Sequence, residues 1–334
     1  DFKNDYKTMD RGFMVSVWWV FKQLWDKGLI YEGVKVVPYS WRVATPLSNF
    51  EANLNYKDTQ DPSVTLRFRM LDTENTFVLA WTTTPWTLPS NMALCAGPEL
   101  EYVQLLLKET GERYLLVASR VETYFKEGSY EIEARMKGTD LKGRSYEPLF
   151  DFAQKRKPSD KAWQIFNDDY VSDESGTGLV HLACFGEDDV RIFNREGIPI
   201  FDPVDEEGFF KEDMEFIAGL NVMEANRPIS KKLKEKGLMF RQETIEHSYP
   251  FCWRTDTPLI YKPISTWFVN VESFRNRMVK HNQKVHWVPG HLRDGRFGCR
   301  PKRLWRIRLA LLALAQEERA PGVVLERSIG HCTF

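Results

Sequence analysis

The chain of 334 residues has no basic excess with which to attract nucleic acid in bulk, since 46 Lys and Arg stand against 47 Asp and Glu for a formal net charge of −1. Any contact with nucleic acid must therefore be local. Cysteine is scarce too. Cys95, Cys184, Cys252, Cys299 and Cys332 are odd in number, far apart and without a C-x-x-C pair, which favours reduced thiols in a cytosolic setting over a disulfide framework or a cysteine zinc site. No apolar run reaches spanning length and residues 1–10 are polar and charged, so neither a transmembrane helix nor a signal peptide is expected. Internal repeats and low-complexity tracts are missing, and the lack of an initial Met implies a piece of a longer protein. What is present, 43% hydrophobic and 13% aromatic residues, suits a packed globule long enough for two domains.

Apolar residues recur at helical spacing through Phe13, Val17, Val20, Phe21, Leu24 and Trp25, and Gly28 follows as a stop, which predicts a helix over 13–29. A short strand over 34–39 and a loop over 45–50 come next, an order that suits an α/β unit that is then interrupted. From Asp61-Pro62 the texture changes. Strands are predicted over 63–70, 77–80, 102–107, 114–117 and 130–134, with helices over 119–126 and 188–196 and another closing over 231–237. Residues 264–274 look like a strand entering a helix. Several short strands with glycine and charged turns imply a largely antiparallel sheet or small barrel with a few helices, an α+β class.

The densest chemistry lies over residues 80–91, A-W-T-T-T-P-W-T-L-P-S-N. Four threonines would emerge where a strand ends, and Pro85 and Pro89 deny the donors a continuing sheet needs. Threonine hydroxyls donate and accept and their χ1 is stiff, so such a ledge could hold a polar ligand or a water. A Thr-capped strand end beside a Pro-rich turn explains the same residues. Gly176-Thr-Gly178 lacks the Lys of a phosphate loop and reads by default as a tight turn. If Leu179-Val-His181 is extended with Val180 toward the core, His181 faces a cleft or solvent. A lone His is most often structural, whereas His181 and Asp189 together could meet at one mouth. Glu187, Asp188 and Asp189 also sit where a helix N-terminus welcomes negative charge. His247 and Cys252 do not complete a zinc site and read as structural.

Taken together, several segments resemble the isoleucyl-tRNA synthetase family of the cytosolic, eukaryotic type. They include Ser16-Val-Trp-Trp-Val-Phe-Lys-Gln-Leu24, Thr45-Pro-Leu-Ser-Asn-Phe-Glu51, the threonine-rich stretch, Gly176-Thr-Gly-Leu-Val-His181 with Phe185-Gly-Glu-Asp-Asp189, Glu224-Ala-Asn226, Ser248-Tyr-Pro-Phe-Cys-Trp-Arg254 and Asp294-Gly-Arg-Phe-Gly298. The resemblance runs nearly unbroken over 7–298. It implies a partial Rossmann-type catalytic domain over 1–60, a β-barrel-like inserted editing domain with peripheral helices over 61–245, a return into the catalytic domain over 246–298, and a divergent tail over 299–334. The motifs that activate isoleucine with ATP are absent in their proper context, so the fragment is not expected to aminoacylate. Ser328-Ile-Gly-His331 only superficially resembles one of them, because no strand precedes it.

What the resemblance implies is hydrolysis of valine esterified to the 3'-end of tRNA(Ile), with no cofactor or metal for editing and ATP needed only by the full-length synthetase. Discrimination of isoleucine from valine, the standard illustration of this limit, reaches only about two orders of magnitude from one methylene, so a second, hydrolytic sieve is used. The resemblance maps Thr82, Thr83, Thr84 and Thr87 onto the family's threonine-rich site, Asn91 onto the Asn that ends it, His181 onto its His, and Asp189 onto the Asp that holds the substrate α-ammonium. On that mapping Asp189 anchors the amine, Thr83 and Thr84 position water and ribose, and His181 limits side-chain size. A charge-assisted bond to the ammonium and a positioned water are what ester hydrolysis needs. Other readings are editing as in the valyl or leucyl relatives, and a tRNA acceptor-end binding module without activity.

Three departures stand out. His181-Leu-Ala-Cys-Phe185 is shorter than the family's segment and lacks its Ala-Pro pair. Trp41-Arg-Val43 replaces smaller or Cys-bearing residues, and after Gly298 the pattern gives way to Cys299-Arg-Pro-Lys-Arg-Leu-Trp-Arg and an Ala/Leu-rich tail. That break reads as a shifted reading frame or mispredicted exon, with 300–308 as an accidental basic patch.

Overall fold

The computed structural model describes residues 7–156 and 159–294. The tail 299–334, with its basic run and Ser328-Ile-Gly-His331, lies outside the described residues, as does most of the motif that starts at Asp294. The described residues divide into two compact units, 7–34 with 265–294, and 35–264.

In the first unit the helix Arg11–Asp26 buries Val20 and Leu24 against Trp19, Leu29, Ile30 and Val269. It stops one turn earlier than its periodicity predicts. Gly28 adopts φ +65°, Gly28 N–H donates to Trp25 C=O at 2.8 Å and Leu29 N–H donates to Leu24 C=O at 3.0 Å. These paired bonds close the helix end on a residue without a Cβ, where a left-handed turn is free of steric penalty. Trp25 meets Trp267 edge-on at 5.6 Å, and Tyr31 stacks on Phe268 at 5.5 Å.

Strands β1 (Ile30–Ser40) and β12 (Ile260–Val269) run through the boundary between the units. The second unit holds β2 (Thr45–Pro46), β3 (Tyr56–Arg69), β4 (Thr76–Thr82), β5 (Ala93–Ala96), β6 (Glu101–Leu107), β7 (Arg113–Val117), β8 (Tyr130–Lys137), β9 (Gln164–Asn167), β10 (Leu179–Leu182) and β11 (Met239–Pro250). Six of them form a sheet in the order β11-β3-β4-β7-β6-β8, antiparallel except for β4 with β7. A smaller sheet, β10-β5-β9, stands beside it.

The class is mixed α+β, but among the described residues the large sheet does not close into a barrel, and β11 and β8 are its edges. β8 is suited to an edge because exposed Glu131, Glu133, Arg135 and Lys137 alternate along it, and charged edges resist pairing with other chains. β4 is covered on both faces. Val78 and Ala80 join the main core with Val64, Leu66, Leu115 and Val117, while Phe77 and Leu79 join a second cluster with Leu105, Leu116 and Phe125. Double coverage explains why this strand reads as an uninterrupted apolar run ending in threonines. The helix predicted over 119–126 is a 3-10 turn, Ala118–Arg120, followed by one α-turn, Val121–Tyr124.

Gly176-Thr-Gly178 is a turn that buttresses β4. Thr177 Oγ1 donates to Leu79 C=O at 2.6 Å, and Val117 N–H donates to Thr177 C=O at 2.9 Å. Gly178 sits at φ +74°, and a Cβ there would lie 2.4 Å from Val117 Cβ. Gly178→Ala therefore combines left-handed strain with overpacking, and a loss of about 3 kcal/mol is expected in chemical denaturation. A variant as stable as the parent would show that this turn does not lock β10 to the sheet.

Candidate active site

β4 ends at Thr82, and Thr84 at φ −125°, ψ 75° turns the chain into the 3-10 segment Pro85–Ser90. Proline at its start supplies a preset φ where no donor is needed. Ser90 Oγ donates to Thr87 C=O at 2.9 Å and Asn91 N–H to Leu88 C=O at 3.0 Å, closing the turn. Trp86 is buried, its backbone N–H donating to Asn226 Oδ1 at 2.8 Å and its ring 4.6 Å from that of Phe185.

This turn brings most of the predicted residues into one network. Thr84 N–H donates to Thr82 Oγ1 at 3.2 Å, and Thr84 Oγ1 lies 3.3 Å from Thr82 Oγ1 and 3.4 Å from Thr87 Oγ1. Thr87 Oγ1 donates to Thr84 C=O at 2.8 Å and stands 2.9 Å from His181 Nε2. Asn91 Nδ2 lies 3.4 Å from His181 Nδ1. Thr82, Thr87, Asn91 and His181 are buried, whereas Thr83 and Thr84 are half-buried. Thr83 makes no side-chain hydrogen bond among the described residues.

His181 arrives on β10, paired with Leu94 of β5. Val180 does pack against an apolar cluster, that of Met92, Cys95, Phe166 and Leu182, but its neighbour His181 faces the buried hydroxyl network rather than open solvent. Burial pushes its pKa down to about 4, so the ring is neutral at pH 7.

Asp189 is held differently. It lies in the first turn of the helix Glu187–Glu196, and its Oδ2 accepts the Ala183 N–H at 3.1 Å. That is its one side-chain hydrogen bond among the described residues; it makes none to the threonines or to His181. The residue is half-buried, and desolvation pushes the carboxyl up to about 7 despite the Ala183 bond. Gly186 makes this placement possible, because a Cβ there would lie 2.6 Å from Asp189 Cγ. Asp188, by contrast, is exposed and pairs with Arg191 at 2.9 Å. Arg191 and Arg195 both bind Asp168, whose carboxyl they hold well below the usual range. His247 Nε2 contacts Asp61 Oδ2 at 2.8 Å while Cys252 is buried in a separate cluster.

Two supporting residues have no signature in the sequence. Tyr146 is fully buried, and its hydroxyl donates to Asn91 Oδ1 at 2.8 Å. Trp163, at the left-handed φ of 58°, donates its indole N–H to Asn91 C=O at 3.2 Å. Gly186 is already in view through the Phe185-Gly-Glu-Asp-Asp189 segment, and the structure adds the carboxylate it accommodates. Asn226 is likewise in view, in that its Glu-Ala-Asn context carries the family resemblance.

The chain belongs to the class I tRNA synthetases of the I, L, M and V group, whose family profile matches residues 1–299. An isoleucine–tRNA ligase of Bdellovibrio bacteriovorus is 51% identical over 302 residues, covering 89% of this chain and 28% of that protein. The cytoplasmic isoleucine–tRNA ligase of Mus musculus is 50% identical over 306 residues, covering 89% of this chain and 24% of its own length. The chain thus spans about a quarter of such relatives. A crystal structure of GlLeuRS-CP1 aligns with 55% of this chain and 98% of its own at 11% identity and a TM-score of 0.40, too low to define the fold. Among the described residues no helix is long and apolar enough to cross a membrane.

Proposed function

We propose that the unit 35–264 is the editing module of an isoleucyl-tRNA synthetase and hydrolyses valine mis-esterified to the 3'-end of tRNA(Ile). The observation that carries this reading is Asp189, a half-buried carboxylate with one oxygen fixed by Ala183 N–H and the other without a protein partner among the described residues. An α-ammonium satisfies that second oxygen, and a charge-assisted bond in a desolvated setting fixes the ester's register. Membership of a family that includes isoleucine–tRNA ligases supplies the substrate class.

In this reading Thr83 and Thr84 hold the attacking water and the terminal ribose, with Thr82 and Thr87 behind them. Water adds to the ester carbonyl, charge gathers on the carbonyl oxygen, and the C–O bond to the ribose breaks. The water's proton ends on the ribose hydroxyl, giving valine and free tRNA. Positioning and electrostatic complementarity suffice for such a step without a protein nucleophile. His181 is a wall of the pocket rather than a base, because both ring nitrogens already have partners in Thr87 and Asn91. No cofactor is needed for this step, while ATP serves the longer synthetase, whose place is the cytoplasm.

The test is deacylation by the purified chain. Valine should be released from Val-tRNA(Ile) and isoleucine retained on Ile-tRNA(Ile). Binding of charged tRNA without turnover would reduce the module to an acceptor-end binder. Equal release of both amino acids would overturn the sieve.

A further inference from the structure

The buried side of the threonine network contains a set of hydrogen bonds with only one consistent direction. Asn91 Nδ2 donates to Ala93 C=O at 3.0 Å. A carbonyl cannot donate, so the nitrogen of this amide must face it. The oxygen then faces Tyr146, whose hydroxyl donates to it at 2.8 Å from a fully buried site packed edge-on against Phe68 at 5.3 Å. With both ends fixed, the second N–H of Asn91 points at His181 Nδ1, 3.4 Å away. That ring nitrogen must be the unprotonated one. The proton is therefore on Nε2, which donates to Thr87 Oγ1 at 2.9 Å, and Thr87 passes its own proton toward Thr84 C=O at 2.8 Å.

We infer that Asn91, clamped by Tyr146 and the Ala93 carbonyl, is a positioning residue that fixes His181 as its Nε2–H tautomer and so sets the polarity of the threonine ledge. The tautomer of a histidine is set by the partner of its other nitrogen, and here that partner is held from two sides. The consequence reaches the ligand face. Thr87 is committed as a donor to the main chain, so its hydroxyl proton is not available outward. Within the network Thr84 Oγ1, with only long contacts of 3.3 and 3.4 Å, is left to turn toward water or ribose, beside Thr83, which stands outside the network. Trp163 adds a bond to the Asn91 backbone from a left-handed conformation that few side chains adopt, as expected where local strain serves a site.

The catalytic part of this inference rests on the proposed hydrolysis; the tautomer does not. Histidine ring nitrogens are therefore read by 15N NMR in the full chain, with His181 identified by loss of its signals in His181→Gln. The expected spectrum has an unprotonated Nδ1 and a protonated Nε2. Asn91→Leu removes the donor to Nδ1 and should populate both tautomers, with kcat for Val-tRNA(Ile) falling about tenfold and KM within about twofold. Tyr146→Phe, which leaves Asn91 in place, should shift the same signals part of the way with a smaller fall in kcat. A wild-type ring protonated at Nδ1, or ring signals unchanged in both variants, would overturn the inference. Should Asn91→Leu not fold, the wild-type spectrum and Tyr146→Phe decide. A wild-type chain that releases no valine sinks the hydrolase reading alone, because the spectrum needs no substrate.

Discussion

Asp189→Ala should lower kcat/KM for Val-tRNA(Ile) deacylation by about 10²-fold, since one charge-assisted bond to a ligand ammonium is worth about 1.5–3 kcal/mol and its loss also frees the ester's register. The same carboxylate predicts a pH dependence. Only the ionised form anchors an ammonium, and burial places the free protein's Asp189 at about 7, so kcat/KM should rise through pH 7 after subtraction of uncatalysed ester loss. In the complex the ammonium favours ionisation, and the corresponding limb of kcat should lie at lower pH. Asp189→Asn keeps an acceptor for Ala183 N–H but should lack the limb.

Stability separates this role from a folding defect. A carboxyl raised from 3.8 to about 7 binds its proton more tightly in the folded chain than in the unfolded one. Its contribution therefore favours folding at low pH and is lost as pH rises from about 4 through about 7. Asp189→Asn should accordingly gain about 1–2 kcal/mol at pH 8, after discounting for solvent screening at this half-buried site, and nothing at pH 4. A variant that is less stable at pH 8, or one that hydrolyses at the parent rate, would remove Asp189 from the anchoring role.

What the sequence makes legible follows from where periodicity survives. β3, β4, β6, β7 and β8 are visible because each has five or more residues and β-branched or aromatic content. β5, β9 and β10 have four residues each, and β5 is buried throughout, so they present neither alternation nor a long apolar run. β11 is hidden for the opposite reason. It is a half-exposed edge strand, F-R-Q-E-T-I-E-H-S-Y, whose structure comes from pairing along β3 rather than from its own pattern. The open sheet was out of reach too, since strand count alone does not say whether the ends meet. At the site, the threonines announce themselves by composition, and the placing of the Asp rests on the family resemblance. Tyr146 lies 55 positions from Asn91 and Trp163 lies 72; only folding puts them behind the amide, and no local motif marks either one.

His181→Ala should make the pocket release isoleucine. In the proposed site the imidazole is a wall held in place by Thr87 and Asn91, and it excludes a side chain one methylene longer than valine. A one-methylene difference is worth about 1–3 kcal/mol in such a pocket. Removing the ring opens more room than that methylene fills, so the preference for Val-tRNA(Ile) over Ile-tRNA(Ile) should fall about tenfold or more, chiefly through a rise on isoleucine. Valine release should fall as well, because Thr87 loses its donor and the ledge its fixed polarity. His181→Gln distinguishes bulk from hydrogen bonding: its terminal amide can donate to Thr87 while filling most of the ring's space, and it should keep most of the discrimination. Were His181→Ala to lose activity on both esters in the same proportion, with the Val to Ile ratio unchanged, His181 would be a support of the ledge and not the limit on side-chain size.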